Sequence, residues 1–188
     1  MTRKDIPNII SVLRMLLVVP IVYLLLIEAY QFALSLIVLA GVSDALDGFL
    51  AKRYDWSSAL GSFLDPLADK ILLVCCFLVC VFIGLVPAWL FVLIVLRDLV
   101  VALGALLYHL AIEKFHGDPP FSSKLNTAFQ IIYLVMLIAS QGTIQLPSDW
   151  LEYAVYLVAL TTAISGLEYV WTWGMRAWRI KIEGYRGQ

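Results

Sequence analysis

Five of the fourteen carboxylates in this 188-residue chain fall between Asp44 and Asp69, in the stretch DALDGFLAKRYDWSSALGSFLDPLAD. Asp44 and Asp47 are three residues apart and Asp65 and Asp69 are four apart, so each pair lies on one face of a helix. Both pairs stand at the ends of long apolar runs. A carboxylate carried into such surroundings is costly unless a cation compensates it, so four that converge predict a bound divalent metal. Oxygen ligands select Mg2+, Mn2+ or Ca2+, and a cluster of this kind has room for two ions. Magnesium with incomplete protein ligation finishes its shell with substrate phosphates, and two metals can clamp the attacking and leaving oxygens of a displacement at phosphorus. Gly48 and Gly61 suit the same purpose, because a residue without a side chain lets a ligand or a neighbouring helix approach the backbone. Pro66, between the last two aspartates, marks either the start of a helix or a kink. A single pair of aspartates would read most simply as a solvated helix end; two pairs joined by a short connection and bracketing two glycines do not.

The elements that must position these residues are apolar. The chain is 62% hydrophobic and 14% charged, with a mean hydropathy of +0.91, well outside the usual soluble range. This composition predicts an integral membrane protein. A formal net charge of -1 offers no basic surface for nucleic acid. Cys75, Cys76 and Cys80 share one apolar run without the paired spacing of a zinc site, and read as small core residues. The opening MTRKDIPN is too short and too polar for a signal or transit peptide, so the first apolar run is expected to persist as a helix.

A helix that spans a bilayer needs about 20 largely apolar residues. Six runs qualify: Pro7 to Glu28, Gln31 to Ala51, Ser57 to Leu85, Pro87 to Leu110, Lys124 to Gln141 and Trp150 to Trp173. Turns near Ala29, Val86 and Gly142 make hairpins of some neighbours, and only His109 to Ser123 is long enough for a surface segment. The expected fold is therefore an all-α, single-domain bundle of six transmembrane helices. Lys and Arg fall at the N-terminus, in the second and fourth connections and at the C-terminus, and are absent from the other three connections. Both termini and the Asp44 to Asp69 hairpin are thus expected on the cytoplasmic side. Trp150, Trp171, Trp173 and Trp178 are expected as interfacial anchors near the ends of the last helix.

Asp44, Asp47, Gly48, Ala51, Gly61, Asp65 and Asp69 stand at the spacing D-x2-D-G-x2-A-R-x8-G-x3-D-x3-D. In this the chain resembles the CDP-alcohol phosphotransferases, and seven of the eight positions fit over 26 residues. The departure is Lys52, which stands where the family has Arg and loses the bidentate fork for phosphate oxygens; Arg53 follows it, about 100° further round a helix. The resemblance implies a six-helix membrane enzyme, usually a homodimer, that uses a CDP-linked donor and releases CMP. By the same analogy Asp44, Asp47, Asp65 and Asp69 bind Mg2+ or Mn2+, with Asp69 also the general base. Gly48, Ala51, Lys52 and Gly61 would line the cytidine diphosphate pocket. No Ser, Cys or His is placed as an obvious nucleophile, so direct displacement is the simplest mechanism.

Other polar residues interrupt the apolar runs. Asn8, Ser11 and Arg14 recur every three residues, either as capping with a snorkelling arginine or, as the family often has it, as a stripe facing the nucleotide side. Asn8 is assigned to the CDP pocket and Arg14 to the acceptor. Arg97 and Asp98 lie mid-run, too deep for easy snorkelling. They read either as a structural ion pair, a case weakened because adjacent residues diverge by about 100° on a helix, or, more sharply, as Arg97 holding an anionic acceptor. Ser123, Lys124, Leu125, Asn126 and Thr127 open the fifth run. Within the family, phosphatidylglycerophosphate synthases tend to have a second lysine where this chain has Asn126, whereas CMP-forming cardiolipin synthases tend to read S-K-x-N-T. Lys124 and Asn126 are accordingly assigned to the acceptor. One cation fewer suits a phosphodiester with one charge over glycerol 3-phosphate with nearly two. The leading expectation is transfer of phosphatidyl from CDP-diacylglycerol to phosphatidylglycerol in a bacterial inner membrane, with glycerol 3-phosphate as the alternative acceptor. A divalent-cation transporter is the rival from another class. It would need polar residues along the full depth of a pathway, whereas these carboxylates lie at one edge.

Overall fold

The computed structural model describes the backbone of residues 6–54, 61–111, 121–142 and 144–186, and the side chains of 10–44, 46, 53–54, 68–104, 121–142 and 144–172. The described residues form six helices and no strand: α1 Ile6–Leu26, α2 Tyr30–Tyr54, α3 Gly61–Phe82, α4 Ala88–Ala111, α5 Phe121–Gly142 and α6 Ser148–Arg186. The all-α class and the number of helices agree with the apolar runs. Phe121–Gly142 and Ser148–Thr172 are long and apolar enough to cross a membrane, and Ile10–Leu26 and Tyr30–Asp44 are shorter apolar stretches. The chain divides into two compact units, residues 1–87 with 134–147, and residues 88–133 with 148–188.

In the first unit α1 packs on both α2 and α3. Its buried positions are Ser11, Arg14, Val18, Ile21 and Leu25, alternately three and four residues apart, which makes one continuous stripe. On α2 the stripe is Ala33, Ile37 and Ala40, and on α3 it is Leu73, Cys76 and Cys80. Ala33, Ala40 and Ala68 are wholly buried, and small side chains of this kind let helix backbones come close. The outer face of α1 is as apolar as the inner one: Val12, Leu13, Leu16, Val19, Tyr23 and Leu26 are all exposed. A helix that is hydrophobic all round belongs in apolar surroundings rather than at a water-facing surface.

The first and third turns close in the same way. Glu28 has φ 59° and Gly84 has φ 76°. Ala29 N–H donates to Leu24 O and Glu28 N–H to Leu25 O, while Leu85 N–H donates to Cys80 O and Gly84 N–H to Val81 O. Each is a Schellman cap that satisfies the last carbonyls of its helix, with glycine at the left-handed position in one and glutamate in the other. Near the α1–α2 turn, Gln31 Nε2 donates to Gly142 O at 2.7 Å, which satisfies a terminal carbonyl of α5. A Cβ at Gly142 would lie 3.2 Å from the side chains of Tyr30 and Gln31, so the glycine permits that approach.

In the second unit α4 packs on α6. Buried Leu90, Ile94 and Arg97 line α4, and Val158, Thr162, Ser165 and Tyr169 line α6. Trp89 stacks on Tyr156 with ring centroids 6.4 Å apart. This inner stripe is polar over its C-terminal part, unlike that of α1 beyond Arg14.

Several expected boundaries move. Helix α6 continues to Arg186 rather than ending near Trp173, because the polar residues beyond Trp173 interrupt hydropathy without interrupting helical conformation. Trp171, Trp173 and Trp178 therefore lie within the helix and not at its end. Helix α3 begins at Gly61, so Pro66 is its sixth residue rather than its start. His109 belongs to the end of α4 and Ser123 to the beginning of α5. The residues between these helices, 112–120, lie outside the described ones.

Candidate functional site

The stripes that pack the first unit also aim its charges. Asp44 follows Ala40 by four residues on α2, and Asp69 precedes Leu73 by four on α3, so both carboxylates sit in register with the buried faces of their helices. Arg14 precedes Val18 by four on α1. The three meet. Arg14 Nη1 lies 2.6 Å from Asp44 Oδ1 and 2.5 Å from Asp69 Oδ1. Two carboxylate oxygens from different helices, neighbours neither in sequence nor on one element, thus converge on a single positive point.

Burial divides the group into a base and an open side. The Arg14 side chain is 1% exposed, whereas those of Asp44 and Asp69 are 42% and 43% exposed. Arg14, assigned from the sequence to the acceptor, does not snorkel; it pairs with the two aspartates from beneath, and both aspartate side chains stay partly exposed. Two hard oxygens presented in this way suit Mg2+ or Mn2+. The side chains of Asp47, Gly48, Ala51, Lys52, Gly61, Asp65 and Asn8 lie outside the described residues, and among the described ones no three acidic, histidine or cysteine side chains converge. A cleft of about 240 Å³ lined by Glu28, Tyr30, Gln31 and Gln141 is far from this chemistry. It lies at the other end of α2, about 20 Å along the helix from Asp44.

The second unit gathers a different set of polar groups. Arg97 is buried, with Nη1 donating to Asp98 Oδ1 at 2.8 Å and Nη2 donating to Ser123 Oγ at 2.7 Å and to Ser165 Oγ at 2.6 Å. Its guanidinium carbon lies 5.6 Å from the centre of the Tyr169 ring, a cation–π contact. Arg97 and Asp98 do pair, contrary to the expectation from their divergence on the helix. The long arginine stem lets its head group turn toward a neighbour whose Cα–Cβ direction differs by about 100°. The stem passes Gly166, where a Cβ would stand 3.5 Å from Arg97 Cγ.

Asn126 is fully buried, and its Oδ1 accepts from Thr162 Oγ1 at 2.8 Å and from Thr161 Oγ1 at 3.1 Å. Lys124, assigned with Asn126 to the acceptor, is exposed; two residues apart on a helix places the two about 200° from each other. Sequence reasoning missed Gln130, Thr161, Thr162, Ser165 and Tyr169. A signal was present: Asn126 and Gln130 are four apart on α5, and Thr162 and Ser165 are three apart in an apolar segment, where polar side chains need internal partners.

Residues 4–167 match the family described as CDP-alcohol phosphatidyltransferase. A cardiolipin synthase (CMP-forming) of Rattus norvegicus is 34% identical over 181 residues, covering 87% of this chain and 60% of that protein. A CDP-diacylglycerol–glycerol-3-phosphate 3-phosphatidyltransferase of Pseudomonas fluorescens is 37% identical over 165 residues, covering 82% of each. A cardiolipin synthase (CMP-forming) of Streptomyces coelicolor is 30% identical over 193 residues, covering 97% of this chain and 79% of that protein. Against the rat protein and its human counterpart the chain spans about three fifths of the relative's length. With the Asp44 to Asp69 spacing, the helical architecture and a match over most of its length, the chain belongs to the CDP-alcohol phosphatidyltransferase family.

Proposed function

We propose that this chain transfers a phosphatidyl group from CDP-diacylglycerol to a glycerol-based alcohol and releases CMP, with phosphatidylglycerol as the leading acceptor. The observation that carries the reading is the convergence of Asp44 and Asp69, from different helices, on one cationic point, with both side chains partly exposed. Asp44, Asp47, Asp65 and Asp69 would hold Mg2+ or Mn2+, and Gly48, Ala51, Lys52, Gly61 and Asn8 would line the nucleotide pocket. The bound metal would neutralise the diphosphate and the departing CMP. Asp69 takes the proton of the acceptor hydroxyl. The freed oxygen attacks the β-phosphorus, a new P–O bond forms, and the bond to the bridging oxygen breaks so that this oxygen leaves with CMP. Arg14 restrains Asp44 and Asp69 in place during the transfer.

Arg97 and Asn126 serve the acceptor, with Lys124 at its entrance. Arg97 is already balanced by Asp98, and Asn126 is neutral, so this group of side chains favours a singly charged phosphodiester over a phosphomonoester dianion. The helices form a six-span bundle in a bacterial inner membrane with both termini and the site toward the cytoplasm, and two copies form a homodimer. The Pseudomonas relative favours the second reading, glycerol 3-phosphate as acceptor. Family membership supports an enzyme over a divalent-cation transporter.

The test is CMP release by purified protein with CDP-diacylglycerol and Mn2+, comparing phosphatidylglycerol with glycerol 3-phosphate. Turnover with phosphatidylglycerol alone is expected. Turnover with glycerol 3-phosphate alone would replace the leading acceptor, and loss of turnover in chelator, restored by Mn2+, is the expected sign of metal dependence.

A further inference from the structure

Helix α5 carries a line of polar side chains that packing alone does not use. Ser122, Asn126 and Gln130 recur every four residues and so share one face. Asn126 and Gln130 are 0% and 1% exposed. Ser122 Oγ, Asn126 Nδ2, Gln130 Nε2 and, on α4, Arg97 Nε are all buried without a hydrogen-bond partner. All four are donors, and a buried donor left unmet is destabilising, so acceptor oxygens placed along the line would stabilise it.

The orientation of these donors is set by their neighbours. Thr162 donates to Asn126 Oδ1 at 2.8 Å, which leaves Nδ2 as the unpaired atom of the amide. Asp98 accepts from Nη1 of Arg97 and Ser123 and Ser165 accept from Nη2, while Nε has no partner. The arginine charge is offset by Asp98, so the line carries little excess positive charge. Eight residues of helix separate Ser122 from Gln130, about 12 Å. An extended glycerophosphoglycerol unit is about that long, whereas glycerol 3-phosphate reaches only about 7 Å, judged from ordinary bond lengths.

Resting on the reading above, we propose that Gln130 is a specificity-determining residue of the acceptor subsite. Its Nε2 donates to an oxygen of the acceptor's glycerol moiety one turn beyond Asn126, and Thr162, with Thr161, is a positioning residue that fixes the Asn126 amide. The ligand class is a singly charged polyol phosphodiester.

The experiment uses the full chain in lipid nanodiscs, with CDP-diacylglycerol, Mn2+ and phosphatidylglycerol, and reads KM for each substrate with the thermal midpoint. Gln130→Leu is expected to raise KM for phosphatidylglycerol about tenfold, the size of one lost hydrogen bond, with KM for CDP-diacylglycerol within about twofold of the wild type. Gln130→Met keeps the length but removes the donor, and is expected to do the same if the leucine variant does not fold. Thr162→Val is expected to raise the same KM, and Thr162→Ser to restore it. Unchanged acceptor KM in the Gln130 variants, or an equal change for both substrates with a lowered midpoint, would make the line structural or water-filled and overturn the inference while the wild type still turns over. A wild type silent with both glycerol-based acceptors would overturn the functional reading and this inference with it.

Discussion

A guanidinium shared by two aspartates has consequences at the scale of single residues. Replacing Asp69 with Asn removes the proposed proton acceptor but leaves Arg14 its contact with Asp44. CMP release is expected to fall by about 10²-fold or more, with the helical circular-dichroism spectrum unchanged; wild-type turnover in this variant would remove Asp69 from the mechanism. Arg14→Met keeps the stem and deletes the charge, leaving two carboxylates facing each other. The variant is expected to lose about 1–3 kcal/mol of stability in chelator and to regain more than the wild type when Mn2+ is added, measured as paired thermal midpoints. At this scale the sequence was informative about acids and poor about their partners. Asp44 and Asp69 were evident from spacing, because residues three or four apart share a helix face whatever the fold. Arg14 was legible as a polar residue on an apolar run and was assigned to the acceptor, but not as a partner of the aspartates, which are on other helices, 55 residues away in the case of Asp69.

Helices and turns respond to backbone conformation more than to side-chain identity. Glu28 and Gly84 occupy the same left-handed position in equivalent caps, and only glycine takes it without steric cost. Glu28→Gly is expected to be neutral or stabilising by up to about 1 kcal/mol, and Gly84→Ala to cost about that much, in denaturation of the detergent-solubilised protein. A similar contrast separates two helical glycines. Gly41 has open space where a Cβ would go, so Gly41→Ala is expected to be tolerated, whereas Gly142→Ala presses on Tyr30 and Gln31 and is expected to lower the thermal midpoint. Element type was legible from long apolar runs, but element ends were not. Helix α6 outruns its apolar stretch by more than three turns because hydropathy marks where a helix meets apolar surroundings, not where its hydrogen bonds stop.

Among the described residues, helices are apolar on surfaces that a water-soluble protein would make polar. Besides the outer face of α1, exposed Tyr153, Tyr156, Leu160, Leu167 and Trp171 run along α6. The protein is expected to stay with the membrane pellet through alkaline carbonate extraction, and reporters fused to either terminus are expected to show the same cytoplasmic side. Opposite sides would overturn the proposed even number of spans. Composition and the local D-x2-D and D-x3-D spacings by themselves determined an all-helical, apolar chain and its family resemblance, because both depend on residues close together in sequence. Only the tertiary structure decided which polar residues meet: Arg14 with Asp44 and Asp69, Arg97 with Ser165, and Asn126 with Thr162. Those meetings depend on how buried stripes from separate helices come into register, and spacing within one helix carries no record of the helix packed against it.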